Sequence, residues 1–218
     1  MPQTNMVNGQ VITVGITNHR LIAAMLPVPR RLFVPSAMQS ISHIDADLKL
    51  TESTLLSPPR FLLSAGPFAK LVQAAKIRRK DTVLDVGCAT GYSSAVLARL
   101  AGFVIGLESD DQLAALASET LANLDIDNVA IVTGPLEVGC PEGEPYDVIF
   151  IGGSVDRMPS ALVSQLRDGG RLVTIVGSGH SASARLYVKR GSGFSGRKIF
   201  NVAAHPLPGF AEPKTFVF

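Results

Sequence analysis

Tryptophan is absent from the 218 residues, and cysteine occurs only at Cys88 and Cys140. The two thiols form no Cys-x-x-Cys pair, so neither a dithiol redox motif nor a thiolate metal site is written in the chain. Histidine is scarce too: His19, His43, His180 and His205 are scattered without an i, i+4 pair, and no metal is expected. Although 46% of the residues are hydrophobic, no apolar run approaches the roughly 18 residues of a membrane-crossing helix. The opening MPQTNMVNGQ lacks the basic-then-apolar order of a secretory leader, so a cytoplasmic protein with no membrane partner and reduced thiols is expected. Charge of one sign is also missing, since 20 Lys and Arg stand against 18 Asp and Glu. Only KIRRK, residues 76–80, forms a cluster; so short a run reads as a solvated helix end, and no nucleic acid partner is expected.

The length suits one large α/β domain with an N-terminal appendage. TNHRLIAAM (17–25) has a Thr or Asn cap and apolar residues at helical spacing, and Pro27 and Pro29 end it. The stretch from Arg30 to Pro67 is irregular and proline-rich, the pattern of a collar or lid. PFAKLVQAAKI (67–77) opens a helix on proline. Strand patterns then recur at 82–87, 103–109, 129–134, 146–153 and 170–177, separated by helical patterns in SSAVLARLA, DDQLAALASETLANLD and MPSALVSQL. Continuous Val, Ile and Leu runs alternating with helices predict a doubly wound, mostly parallel sheet covered on both faces. ARLYVKRGSGFSGRKIFNVAA (184–204) predicts an antiparallel hairpin on its edge. The expected division is a helical collar over 1–66 and a cofactor-binding domain over 67–218.

VLDVGCATGYSSAVLA (83–98) runs a strand into a glycine turn and then a helix, the nucleotide corner of a doubly wound sheet. Ala89 and Tyr92 stand where a dinucleotide fingerprint would put its second and third glycines, and no Gly-Lys-Ser/Thr follows. What remains is Asp85 at the strand end, glycines at 87 and 91, and Glu108 at the end of the next strand, at about the interval where an acid grips ribose hydroxyls. This set suits an adenosine-bearing cofactor without a pyrophosphate, with S-adenosylmethionine the leading candidate. Backbone at Gly87 and Gly91 would approach its methionine end, and Glu108 would accept from both ribose hydroxyls.

VPRRLFVP (28–35), the turn with its Gly91-Tyr92 step, YDVIFIGG and LVSQLRDGGRLVTIVG together resemble the protein-L-isoaspartate O-methyltransferase family, within the class I methyltransferases. The resemblance implies a Rossmann-like methyltransferase sheet and a cofactor set of Asp85, Gly87, Cys88, Ala89, Gly91, Tyr92, Glu108, Ser109, Pro135 and Leu136. It also implies isoaspartyl-containing peptides or proteins as the substrate. Three positions depart from the family pattern. Ala89 replaces a glycine, Gly134-Pro135-Leu136 replaces Gly-Asp-Gly, and the family's Ser-x-Pro substrate signature falls on Leu63 and Ala65. Ser64, one place on, and Ser57, six places early, are the candidates for the missing hydroxyl, and Arg60 is the candidate cation for the substrate carboxylate. Other readings remain open: a relative with another carboxylate or small-molecule acceptor, a non-catalytic cofactor-binding module, or, more remotely, a dehydrogenase.

Overall fold

The computed structural model describes residues 2–53 and 58–211. The chain begins with α1 (Pro2–Met6), continues through a π turn over Val7–Val11 and a 3-10 turn over Ile12–Val14, and stops at Gly15 with φ +89°. This opening helical segment carries no periodic signal long enough to predict. In α2 (His19–Met25) the cap is Asn18, whose side chain accepts from the N–H groups of Arg20 and Leu21, so the helix starts two residues inside the predicted range. Within the irregular stretch, β1 (Leu48–Lys49) and β2 (Phe61–Leu62) pair antiparallel, a contact too short and too distant in sequence to leave a pattern. The following α3 (Ala65–Ala75) begins ahead of the predicted Pro67, which is its third residue. It ends where Lys76 turns left-handed at φ +50°.

The alternation then proceeds through β3 (Thr82–Val86), α4 (Tyr92–Ala98), β4 (Phe103–Glu108), α5 (Asp111–Asn123), β5 (Val129–Thr133), β6 (Tyr146–Val155), α6 (Ser160–Ser164) and β7 (Leu166–Val176). The hairpin strands β8 (Ser183–Arg190) and β9 (Gly193–Asn201) close the sheet. Strand order is β5-β4-β3-β6-β7-β8-β9, parallel as far as β7 and antiparallel beyond it. The doubly wound sheet and its edge hairpin are therefore as the residue pattern predicts. MPSALVSQL is not: only Ser160–Ser164 is helical, and Leu166 already pairs with Tyr146. Its apolar residues serve a strand entrance as well as a helix, which periodicity over nine positions does not resolve.

Successive strand residues feed opposite layers, as the two-residue pleat requires. Val83, Val148, Phe150, Val173 and Ile175 enter one apolar cluster, and Leu84, Val86, Ile149, Ile151 and Leu172 the other. The first cluster also contains Met6, Val11, Leu21, Met25 and Phe33, so the collar shares its core with the sheet. An ion pair between the partly exposed Arg171 and the buried Asp81 joins the helical layer to the strands. The Arg171 guanidinium donates to the Ala75 carbonyl (3.0 Å), the Lys76 carbonyl (3.1 Å) and the buried Asp81 carboxylate (2.5 Å). Removing the cation strands a charge in the interior. Arg171→Ala is expected to lower unfolding stability by about 3 kcal/mol, read from urea denaturation at neutral pH, and an unchanged midpoint would remove this pair from the account of stability.

Candidate active site

The sheet reverses its winding between β3 and β6, and in such sheets ligands collect in the crevice beyond the carboxyl ends of the strands that flank the reversal. Gly87 lies there at φ +75°, its N–H and that of Cys88 both donating to the Leu107 carbonyl (2.8 and 3.2 Å). Gly152 of β6 faces it, and a Cβ added there would come 3.9 Å from the Gly87 oxygen. Two bare backbones thus form the walls of a cradle that side chains would narrow.

Asp85 and Glu108 are buried beneath this cradle. Asp85 Oδ2 accepts from the hydroxyls of Ser93 and Ser94, each at 2.6 Å, on the first turn of α4. Its Oδ1 has no hydrogen-bond partner among the described residues. Burial pushes the carboxyl up to about 6, with the nearby Glu108 charge adding to the shift and the two serine hydroxyls opposing it. Glu108, the last residue of β4, is ringed by donors. Oε2 accepts from the Ala89 N–H (2.8 Å), and Oε1 from the N–H groups of Ser109 (2.8 Å) and Asp110 (3.2 Å). The Arg60 guanidinium then forks onto both oxygens, Nη1 to Oε1 and Nη2 to Oε2, the latter at 2.9 Å. Arg60 was the candidate for a substrate carboxylate; the structure sets it on the carboxylate that was the candidate for ribose.

The rest of the turn is held from below. Ala89 takes φ +50°, a left-handed conformation that a Cβ disfavours, and its N–H bond to Glu108 helps to fix it there. Gly91, at φ +91°, presents its bare side to α5, where a Cβ would sit 3.1 Å from that of Ala117, so helix approach is one reason for this glycine. The Cys88 sulfur lies 3.2 Å from where Gly106 would carry a Cβ, and burial together with the Asp85 and Glu108 charges raises its thiol well above the usual range. Tyr92 is enclosed by Phe33 and Phe68, each 5.5 Å away between ring centroids, with the Arg30 guanidinium 5.1 Å from its ring. Thr90 donates to the Phe33 carbonyl (2.7 Å), which ties the turn to VPRRLFVP.

Ser64 occupies the cap position of α3, its N–H on Asp47 (2.7 Å) and its hydroxyl not engaged in capping. Ser57 lies outside the described residues. Ser109 and Pro135 are exposed. Leu136 is buried with Leu84, Val86 and Leu107 in the second core cluster, because an apolar side chain at that place gains more from the core than from the crevice rim. Two participants escaped the sequence reading. Arg30 is fully buried, donating to the Ser42 and Leu63 carbonyls (2.9 and 2.6 Å), and only its position inside VPRRLFVP could have marked it. Leu207 closes over the cradle, its methyls 3.1 Å from a Cβ placed on Gly87, held there because its N–H donates to the Ser154 carbonyl and the Ser154 N–H donates to the His205 carbonyl, both at 3.0 Å. No local pattern marks it, since the contact joins the tail to β6.

The donor set fits an adenosyl cofactor in part: the unpartnered Asp85 oxygen and the Gly87–Gly152 cradle suit an ammonium and a close-lying thioether chain. Glu108 suits a vicinal diol once its fork to Arg60 opens.

A family model for protein-L-isoaspartate(D-aspartate) O-methyltransferase matches residues 3–208. The chain is 35% identical over 206 residues to a protein-L-isoaspartate O-methyltransferase of Pelotomaculum thermopropionicum, covering 94% of this chain and 87% of that one. It is 33% identical over 204 residues to the Herpetosiphon aurantiacus protein of the same name, covering 94% and 88%. In three dimensions it matches a solved protein-L-isoaspartate O-methyltransferase with a TM-score of 0.81 at 24% identity, over 96% of this chain and 66% of that one. A Plasmodium falciparum β-aspartate methyltransferase, solved in complex with S-adenosyl-L-homocysteine, gives 0.78 at 20% identity over 94% and 97%. The two structural likenesses show the fold.

Asp85 carries a pH signature. Its folded value near 6 lies above the ordinary 3.8, so below about pH 4 both folded and unfolded chains hold the proton, and between about pH 4 and 6 only the folded chain does. Its contribution to stability is lost across that window as pH rises, by roughly 3 kcal/mol. Asp85→Asn is expected to be more stable than the parent at pH 7.5 by about 1–3 kcal/mol and nearly equal at pH 4; a difference independent of pH would reject the shift. Iodoacetamide should leave Cys88 unmodified until the protein is unfolded, and fast labelling of the native chain would show that the thiol is not enclosed.

Proposed function

The chain belongs to the protein-L-isoaspartate(D-aspartate) O-methyltransferase family, and on that premise we propose that it methylates the free carboxylate of L-isoaspartyl residues in peptides and proteins, with S-adenosylmethionine as the methyl donor. The observation that carries the reading is the match of family sequence over residues 3–208 to a fold whose switch-point crevice holds Asp85, Gly87 and Glu108. These three would hold the cofactor: Asp85 its ammonium, Gly87 its thioether chain, Glu108 its ribose. When bound, S-adenosylmethionine supplies a methyl on a positively charged sulfur, which leaves with the bonding electrons.

The acceptor needs no base, because an aspartyl-type carboxylate with a pKa near 3.9 is ionised at neutral pH. Holding it in line with the methyl is the main task. Phe61, Leu63, Phe68 and Phe150 line a cavity of about 20 Å³ that Gly87 also borders, room for about one water, so the wall offered to the acceptor is largely apolar. Ser64 and Ser57 are the proposed hydroxyls for orienting the acceptor, and residues 1–66 are proposed as its lid over residues 67–218. Among the described residues no helix is long and apolar enough to cross a membrane; a cytoplasmic location is part of the proposal.

A second reading, transfer to a different acceptor, is favoured by one feature. Leu63 stands at the family's serine and contributes an apolar side chain to the cavity wall. Labelled S-adenosylmethionine offered with an isoaspartyl peptide and its aspartyl twin decides between them. Base-labile label on the isoaspartyl peptide alone is the expected result, and label on neither, with the cofactor bound, would move the assignment to another acceptor.

A further inference from the structure

The Arg60–Glu108 pair stands where the proposed cofactor's ribose must go. Glu108 has about four acceptor sites. Three backbone N–H groups, from Ala89, Ser109 and Asp110, claim part of them and are fixed by the turn itself. The Ser109 hydroxyl adds a longer bond to Oε1 (3.3 Å), and the two arms of the Arg60 fork close on both oxygens, so donors already crowd the available sites. A vicinal diol would present two donors to the same two oxygens, so guanidinium and ribose are alternatives rather than neighbours.

Arg60 cannot leave as a whole residue. Its N–H donates to Thr51 Oγ1 (3.0 Å) and its carbonyl accepts from the Leu50 N–H (2.7 Å), so only the side chain is free to turn. Around it lie Phe61, Leu63, Gly153 and Leu207, and among the described residues lining the two small cavities above the turn it is the only one with a permanent charge. Its Nε is buried without a partner among the described residues, a donor not yet used. The other carboxylate of the turn, Asp85, is held at Oδ2 by Ser93 and Ser94, and its Oδ1 is the seat proposed above for the cofactor's ammonium. A guanidinium displaced from Glu108 is therefore a buried cation without a counter-ion, a costly state that an incoming carboxylate relieves.

We infer that Arg60 exchanges partners during the cycle: it neutralises Glu108 while the ribose seat is free, and, once ribose hydroxyls displace it, receives the carboxylate of the methyl acceptor. Binding is thereby ordered, cofactor first, and the acceptor site acquires its cation only when the methyl donor is in place. This rests on the cofactor reading above and adds to it a role for one side chain and a sequence of events.

Calorimetric titration with S-adenosylhomocysteine tests the first half without turnover. Arg60→Gln, which removes the competitor, is expected to bind at least tenfold more tightly than the parent chain, and Arg60→Lys, which keeps the charge but not the fork, several-fold more tightly. Equal or weaker binding in both folded variants would overturn the exchange, and if Arg60→Gln does not fold, Arg60→Lys decides alone. A parent chain that takes up no S-adenosylhomocysteine would instead withdraw the cofactor reading, a separate failure. The second half is read from the affinity of an isoaspartyl peptide with and without saturating S-adenosylhomocysteine. At least tenfold tightening is expected in the parent and little in Arg60→Gln, and a peptide affinity indifferent to the cofactor in the parent would overturn the ordering.

Discussion

Two carboxylates buried together at the ends of adjacent parallel strands are the constraint from which the rest of this site follows. An uncompensated buried charge is expensive, and Asp85 and Glu108 are close enough to repel each other. The chain meets the cost with different means on each side. Asp85 receives two serine hydroxyls from the helix that the turn launches, and burial still keeps its proton affinity high. Glu108 receives a ring of backbone N–H groups and a guanidinium imported from the collar. Ala89 takes up its left-handed conformation in making one of those bonds, so the departure from glycine at this place is tolerated through the electrostatics of its neighbour.

The collar is consequently more than a cover. Its Arg30 joins the Ser42 and Leu63 carbonyls to the ring of Tyr92, its Phe33 carbonyl receives Thr90, and its Arg60 reaches Glu108. Each set of contacts reaches the turn between β3 and α4, the first residue of α4 or the strand end beside it. The tail adds the last wall: Phe61 stacks on His205 at 3.4 Å between ring centroids, while Leu207 packs onto Gly87 and Gly153. Elements remote in sequence thus converge on one crevice.

Much of this was legible beforehand where the signal is local or periodic. The parallel strands showed as Val, Ile and Leu runs because both sheet faces are buried. The turn showed because positive φ at residues 87 and 91 selects glycine. Asp85 and Glu108 showed because strand ends place acids at a regular interval. Local rules failed where a residue serves two contexts. Leu166 belongs to a strand although its neighbours scan as a helix, Leu136 is core although it follows β5 at the carboxyl end of the sheet, and Gly91 makes room for Ala117 as well as shaping the turn.

The sequence by itself thus determined the sheet, its winding, the place of the crevice and the acids that line it, since each depends on period, turn chemistry or spacing along one stretch of chain. Only the tertiary structure decided what those acids hold. Arg60 reached Glu108, and Leu207 reached Gly87, through the packing of collar and tail against the strand ends. A contact between distant segments leaves no trace in either segment's own pattern, because its energy arises only when folding brings both surfaces out of water together.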